Sequence, residues 1–139
     1  MRLHSFDYLR TVRLADTDAA GVVYFAALLS ICHEAYEAFL IEIGMELRGF
    51  LEARELAIPI VHAEIDYFKP VYYGDRLNIK STAVPINDTS FEMNYEILSL
   101  SPPILTLAQG MTRHVCIHPL SRDRMPVPDK ICRWLTQDA

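Results

Sequence analysis

Hydrophobic and polar residues alternate over residues 5–14, near the start of the chain. Phe6, Tyr8, Val12 and Leu14 fall on one side of this alternation, and polar residues dominate the other side. A period of two places successive side chains on opposite faces of an extended backbone. The pattern therefore predicts a half-buried β-strand over residues 5–14.

The spacing of the apolar residues changes after a turn at residues 16–21. Apolar side chains then recur every three or four positions, which is the spacing of one face of an α-helix. They are Leu28, Leu29, Ile31, Cys32, Ala35, Tyr36, Phe39, Leu40 and Ile43. Gly44 follows the last of them and offers a C-terminal stop. We therefore expect one long helix with a broad apolar face.

Four later segments have the composition of strands and are separated by turn residues. They cover residues 59–69, 76–84, 90–100 and 104–118. Residues 46–56 suggest a short second helix or a loop, and residues 128–135 a terminal helix with Pro128 in its first turn. Strands in series need no crossover helices, so the sheet should be mainly antiparallel. The predicted fold is α+β, a five-stranded antiparallel sheet wrapped around one long central helix.

The composition fits one globular domain spanning residues 1–139, with 51% hydrophobic and 22% charged residues. A net charge of −5 argues against a nucleic-acid partner. The apolar run at 22–32 is too short to span a bilayer, so no membrane insertion is expected. The three cysteines form no CxxC pattern, and no secretion signal is visible. We therefore expect a cytoplasmic protein.

Two carboxylates, Asp16 and Asp18, lie between the first strand and the long helix. Small residues, Gly21 and an apolar segment that ends at Phe25 follow them. An Asp at this place commonly caps a helix or forms an Asx turn. A carboxylate beside the unsatisfied N–H groups of a helix start can also serve acyl transfer. Local chemistry alone leaves the two interpretations equally open.

The stretch 16–25, DTDAAGVVYF, resembles the active-site signature of the hotdog-fold acyl-CoA thioesterases of the 4-hydroxybenzoyl-CoA thioesterase type. Segments 59–67 and 69–77 also resemble that family, although more loosely. The resemblance implies a hotdog fold and hydrolysis of a small-molecule acyl-CoA, without a metal or a bound cofactor. It also implies homodimers, often paired into tetramers, with active sites between subunits.

The resemblance also implies roles for individual residues. Asp18 matches the catalytic carboxylate, which attacks the thioester carbonyl or activates water. The backbone N–H of Phe25 matches the group that polarises that carbonyl. Asp16 matches a less essential acid that orients the turn. Tyr24 and Phe25 would border the acyl pocket, whereas Leu28 departs from the aromatic residue of many members.

Several other residues are candidates for substrate binding. Lys69, Arg113, Arg122 and Arg124 could meet the phosphates of coenzyme A, although ordinary surface charge is the alternative for each. His62 lies in a predicted strand that faces the core or a pocket. A contact with the acyl group competes there with a packed core or interface histidine.

Two further groups are weaker candidates. Glu34 and Glu37 are spaced three apart on the helix, and a second branch of hotdog thioesterases uses a helix carboxylate. Exposure to solvent is the favoured interpretation of both. His114, Cys116 and His118 alternate onto one face of a strand. Their ~6–7 Å spacing is loose for one ion, so no metal site is expected.

The residues alone do not identify the acyl group. Stretch 10–18 resembles members that act on a bicyclic aromatic acyl-CoA, and aromatic side chains at the site would suit such a ring. A broader aromatic or short-chain thioesterase, acting on acyl-CoA or acyl-carrier protein, is the first alternative. A non-catalytic acyl-CoA-binding module is the second, and the presence of Asp18 argues against it.

Overall fold

A computed structural model of the protein describes residues 4–136, and residues 1–3 and 137–139 of the predicted 1–139 domain lie outside this range. The described chain contains five strands, β1 to β5, and three α-helices, α1 to α3. In chain order they are β1 (Ser5–Thr11), α1 (Phe25–Glu42), α2 (Leu47–Ala53), β2 (Ile60–Tyr67), β3 (Arg76–Asn87), β4 (Ser90–Ser99), β5 (Thr106–Val115) and α3 (Asp129–Thr136). Every predicted strand and helix is therefore present, and the segment at 46–56 contains a helix.

Over residues 4–136 the strands form one five-stranded sheet in the order β1-β3-β4-β5-β2. Every neighbouring pair is antiparallel, as the absence of crossover helices predicted. Hairpins join β3 to β4 and β4 to β5, so these strands form the centre of the sheet. Strands β1 and β2 lie at its two edges.

The core lies between α1 and one face of this sheet. Helix α1 buries a continuous stripe that includes Leu28, Ile31, Ala35 and Phe39. Alternate residues of the central strands meet it, and the sheet side of the core includes Leu77, Ile79, Ala83, Phe91, Met93, Tyr95 and Ile97. Burial of each large apolar side chain contributes roughly 1.5–3 kcal/mol to folding. The predicted α+β arrangement is confirmed.

The first strand is shorter than the predicted 5–14. It ends at Thr11, and a 3-10 turn at Leu14–Asp16 replaces its last residues. Leu14, predicted on the apolar face, is 75% exposed because the chain has turned away from the sheet. Arg10 lies in register with the apolar residues of β1 and is buried instead.

The other bounds shift by a few residues. Strand β3 continues beyond the predicted end at Val84 to Asn87, because Pro85 still lies opposite Phe91 of β4. Strand β5 is shorter than the predicted 104–118 and ends at Val115. Among residues 4–136, no helix has the length and apolar character needed to cross a membrane.

Candidate active site

Asp18 lies in a tight loop between β1 and α1. Segments 16–18 and 22–24 pair with each other: the Asp18 N–H donates to the Val22 carbonyl at 2.8 Å, and the Tyr24 N–H to the Asp16 carbonyl at 2.9 Å. Gly21, with φ of +79°, closes the turn in a conformation that favours glycine. The loop therefore holds Asp18 at a fixed distance from the helix start.

The Asp18 carboxylate is exposed and partly fixed by the backbone. Its Oδ1 accepts the N–H groups of Ala20, at 2.8 Å, and of Val22, at 3.3 Å. Within the described residues no hydrogen bond reaches Oδ2, so this oxygen is available to a substrate or a water. Asp18 therefore combines the predicted Asx turn with an accessible carboxylate oxygen.

Helix α1 begins at Phe25, as the carbonyl-polarising role requires. The N–H of the first helical residue has no acceptor within its own helix. The Tyr67 hydroxyl of β2 donates to the Phe25 carbonyl and so ties the helix start to the edge strand. The Tyr24 and Phe25 rings pack together with centroids 4.7 Å apart, and both are more than half exposed.

A small groove of about 310 Å³ borders this helix start. Phe25 and Leu28 of α1 form one side, and Tyr67, Phe68 and Lys69 form the other. Aromatic rings and one cation therefore lie together beside the Phe25 N–H. Of the predicted phosphate-binding cations, Lys69 is the one that the structure brings to this groove.

Asp16 differs from Asp18 because its carboxylate is engaged on both oxygens. Arg10 Nη1 donates to Asp16 Oδ2 at 2.7 Å and Nη2 to Oδ1 at 3.1 Å, and the Arg13 N–H also reaches Oδ2 at 2.7 Å. The Arg10 guanidinium lowers the pKa of Asp16 below its ordinary value. The side chain is 13% exposed, so Asp16 is a structural neighbour of the accessible carboxylate.

Arg10 also binds Glu34 of α1, with Nε at 2.8 Å from Oε1 and Nη2 at 3.0 Å from Oε2. The Tyr8 hydroxyl adds a hydrogen bond to Glu34 of 3.0 Å. Arg10 lowers the pKa of Glu34. The expected exposure of Glu34 is therefore only partly met, because its side chain is 38% exposed while Arg10 of β1 binds its carboxylate. Glu37 is exposed, as expected.

Sequence reasoning overlooked Arg10. The available signal was its position, since an arginine occupies a place in β1 where the alternation requires an apolar side chain. Such a residue is buried only when its charge is paired.

The three arginine candidates for phosphate binding lie elsewhere in the structure, away from the groove beside Phe25. Arg113 pairs with Glu92 across β4 and β5 at 3.0 Å. Arg124 donates to the Thr89 hydroxyl at 3.1 Å. Arg122 lines a second, larger groove of about 520 Å³ between α1, α2 and the segment at 54–59. Asp18 lines neither this groove nor the one beside Phe25, and Arg113 and Arg124 also line neither, so neither groove joins the three arginines to the carboxylate.

His62 is exposed in the described chain, so it does not lie in the core, and its predicted place at an interface or beside the acyl group stays a prediction. It lies on the edge strand β2, whose two faces are both largely uncovered in the described chain. Its Nε2 lies 3.2 Å from Glu64 Oε1.

The His114, Cys116 and His118 side chains have separate environments. His114 is fully buried, with Nε2 2.7 Å from the Thr112 hydroxyl and its ring stacked on Phe91. Burial lowers the pKa of His114 to about 4. His118 Nδ1 instead accepts backbone N–H groups of the following turn. Over residues 4–136 no group of three or more His, Cys, Asp or Glu side chains is placed to hold a metal.

Comparison of the chain with models of known protein families agrees with the class that the fold and the Asp18 loop indicate. The profile of the Thioesterase-like superfamily matches residues 12–135, which includes the Asp18 loop, α1 and the strands β2 to β5. The chain belongs to this superfamily.

Within that class, the chain is similar to several 1,4-dihydroxy-2-naphthoyl-CoA hydrolases. A 1,4-dihydroxy-2-naphthoyl-CoA hydrolase from Rippkaea orientalis is 53% identical, over 93% of this chain and 94% of the relative. One from Gloeothece citriformis is 52% identical, over 94% and 91%. The crystal structure of a 1,4-dihydroxy-2-naphthoyl-CoA thioesterase from Synechocystis matches with a TM-score of 0.90 and 39% identity, covering 95% of this chain and 96% of the other.

Proposed function

We propose that this protein hydrolyses 1,4-dihydroxy-2-naphthoyl-CoA to 1,4-dihydroxy-2-naphthoate and coenzyme A, a step of phylloquinone biosynthesis. The observation that carries the chemistry is the exposed Asp18 carboxylate, held by the loop that also forms the start of α1. The relatives that carry this name support the choice of acyl group, since they match more than nine-tenths of the chain.

The reaction needs a polarised carbonyl and a nucleophile. The Phe25 N–H donates to the thioester oxygen and stabilises the negative charge that forms there. By one route the Asp18 carboxylate attacks the carbonyl carbon, the C–S bond breaks, CoA leaves as the thiolate, and water cleaves the resulting anhydride. By the other, Asp18 accepts a proton from a water that attacks the carbon directly, and the C–S bond then breaks so that CoA leaves as the thiolate. Both routes yield the acid and coenzyme A.

The groove beside Phe25 is the proposed seat of the acyl group. Its volume of about 310 Å³ is at the lower end of ligand pockets, and Phe25, Tyr67 and Phe68 supply aromatic surface for a flat ring. Lys69 at the same groove is placed to attract the negatively charged coenzyme A portion.

The proposed reaction needs no cofactor, because a carboxylate, a backbone N–H and water supply every step. We expect activity to survive dialysis against a chelator. Loss of activity that returns with one added metal would contradict this part of the proposal.

We propose that the chain acts in the cytoplasm as a homodimer paired through β2. This edge strand leaves one row of backbone groups without a neighbouring strand in the described chain, and Ile60 and Val61 are 41% and 57% exposed. Pairing would bring the arginines of one protomer nearer to the loop of the other. Sedimentation should give two protomers of 15.9 kDa, or four if dimers pair, and a monomer at micromolar concentration would contradict the proposal.

A panel of thioesters tests the choice of substrate. It contains 1,4-dihydroxy-2-naphthoyl-CoA, 4-hydroxybenzoyl-CoA, short aliphatic acyl-CoAs and an acyl-carrier-protein thioester, with kcat/KM measured by release of free thiol. The proposal predicts the highest kcat/KM for the naphthoyl compound. A preference of orders of magnitude for another thioester would support the broader thioesterase, and tight binding without turnover of any would support a binding module.

A further inference from the structure

We infer that Arg10 is a positioning residue, which holds the Asp18 loop against α1 in the geometry that thioester hydrolysis requires. The inference rests on the proposed function, because it concerns the geometry of that reaction. Arg10 lies on β1, and the structure does not place it on the lining of the groove beside Phe25.

The Arg10 side chain is 4% exposed, and all five of its N–H groups donate hydrogen bonds. Two reach Asp16, at 2.7 and 3.1 Å, and two reach Glu34, at 2.8 and 3.0 Å. The fifth reaches the Thr11 carbonyl at 2.7 Å. A planar guanidinium is rigid, so two carboxylates bound to one fork are fixed relative to each other.

These two carboxylates belong to the two parts of the site. Asp16 lies two residues before Asp18, and its carbonyl accepts the Tyr24 N–H, which directly precedes Phe25. Glu34 lies in the middle of α1, about two and a half turns after Phe25. Arg10 therefore connects the loop that bears the catalytic carboxylate to the helix that bears the carbonyl-polarising N–H.

A purely stabilising role explains this arrangement less well. Replacing a buried ion cluster with apolar side chains of similar volume is often neutral or favourable for stability. The five directional hydrogen bonds of Arg10 do fix the orientation of the Asp16 and Glu34 carboxylates relative to each other. A displacement of about 1 Å at a reacting group can lower the rate roughly 100-fold.

The test compares Arg10→Met and Arg10→Lys with the wild type. We measure kcat and KM for 1,4-dihydroxy-2-naphthoyl-CoA per folded molecule, together with hydrogen exchange of the Val22 and Tyr24 amides relative to amides inside α1. For Arg10→Met we expect kcat to fall about 100-fold, KM to stay within about 3-fold, and exchange at the loop amides to rise. For Arg10→Lys, kcat and loop exchange should lie between those of the wild type and Arg10→Met, because one ammonium group cannot hold both carboxylates as the guanidinium does.

Asp7→Ala is the matched control. It removes a 3.1 Å hydrogen bond with Asn78 from the same strand, away from the Arg10 cluster, and should leave kcat and loop exchange unchanged. If Arg10→Met does not fold, Glu34→Gln is used instead, because it weakens the contact between Arg10 and α1. We then expect a smaller fall in kcat and a smaller rise in the exchange of the loop amides, with KM again little changed.

Wild-type kcat in a folded Arg10→Met protein, or loop exchange no faster than in the control, would overturn the inference. A wild-type protein that releases no coenzyme A from any thioester would overturn the proposed function instead. Loop exchange would then decide by itself whether Arg10 fixes the loop.

Discussion

Two aspartates two positions apart have different environments, and this difference separates their roles. Asp16 has both oxygens bound by Arg10, while Asp18 keeps one oxygen without a protein donor among the described residues. A carboxylate that already accepts several strong hydrogen bonds is a weaker nucleophile and base, because those bonds lower its pKa. This comparison supports the proposal that Asp18, and not Asp16, is the catalytic acid.

This difference predicts effects of unequal size on stability. Asp16→Asn removes charge-assisted hydrogen bonds from Arg10 and should lower the free energy of unfolding by roughly 1.5–3 kcal/mol. Asp18→Asn keeps an amide oxygen for the Ala20 and Val22 N–H groups and should change it by less than about 0.5 kcal/mol. Denaturant unfolding of both variants measures the contrast. Equal losses of unfolding free energy in the two variants would contradict the different hydrogen-bonding of the two carboxylates.

At the scale of elements, α1 connects the core to the site. Its buried stripe fixes the helix against the sheet, and its first residue offers the N–H that we propose polarises the thioester carbonyl. The helix has a glycine with positive φ near each end, Gly21 in the preceding loop and Gly44 just after the C-terminus. Substituting each glycine in turn compares backbone strain next to Asp18 with backbone strain far from it.

Gly21→Ala and Gly44→Ala should each lower stability by about 1 kcal/mol, because both backbones have a φ that disfavours a Cβ atom. Neither Cβ would clash: Gly21 has open space, and the Gly44 position meets Lys130 Nζ at 3.8 Å. Only Gly21→Ala should also lower kcat, since it strains the loop that holds Asp18. Matching kcat values in the two variants would mean that the turn does not set the catalytic geometry.

At the scale of the whole molecule, three buried polar side chains of β4 and β5 form a row of hydrogen bonds in the core. The Tyr95 hydroxyl lies 2.9 Å from the Thr112 hydroxyl, which lies 2.7 Å from His114 Nε2. Among the described residues, His114 Nδ1 is buried without a hydrogen-bond partner. A charged imidazole would therefore carry an unpaired N–H in the core, and for this reason burial holds the pKa at about 4.

The depressed pKa of His114 predicts that stability falls in acid. The unfolded chain binds a proton near pH 6.5, whereas the folded protein binds it only near pH 4. The stability that depends on a neutral His114 is fully present above about pH 6.5. It is lost as the pH falls toward 4, by up to about 3 kcal/mol in the free energy of unfolding. Between pH 7 and 4, the free energy of unfolding of the wild type should therefore fall by about 3 kcal/mol more than that of His114→Phe. A constant difference between pH 7 and 4 would contradict the burial of a neutral His114.

Periodicity in the sequence predicted the order of the elements and the antiparallel sheet, because each amphipathic pattern reports the exposure of one strand or helix. Strand ends were less predictable: Leu14 fits the alternation but follows the turn that ends β1. The loop with Asp18 could be recognised from its motif. The contact between Arg10 and Glu34 could not, since the two residues are 24 apart and only the packing of α1 on β1 brings them together.

The most direct test of the central claim is the rate of coenzyme A release from 1,4-dihydroxy-2-naphthoyl-CoA by the wild type and by Asp18→Asn. The account predicts rapid, saturable turnover by the wild type. For the folded variant it predicts a kcat at least about 100-fold lower, because the group that attacks or activates water is lost. No release by the wild type, or wild-type turnover by Asp18→Asn, would contradict it.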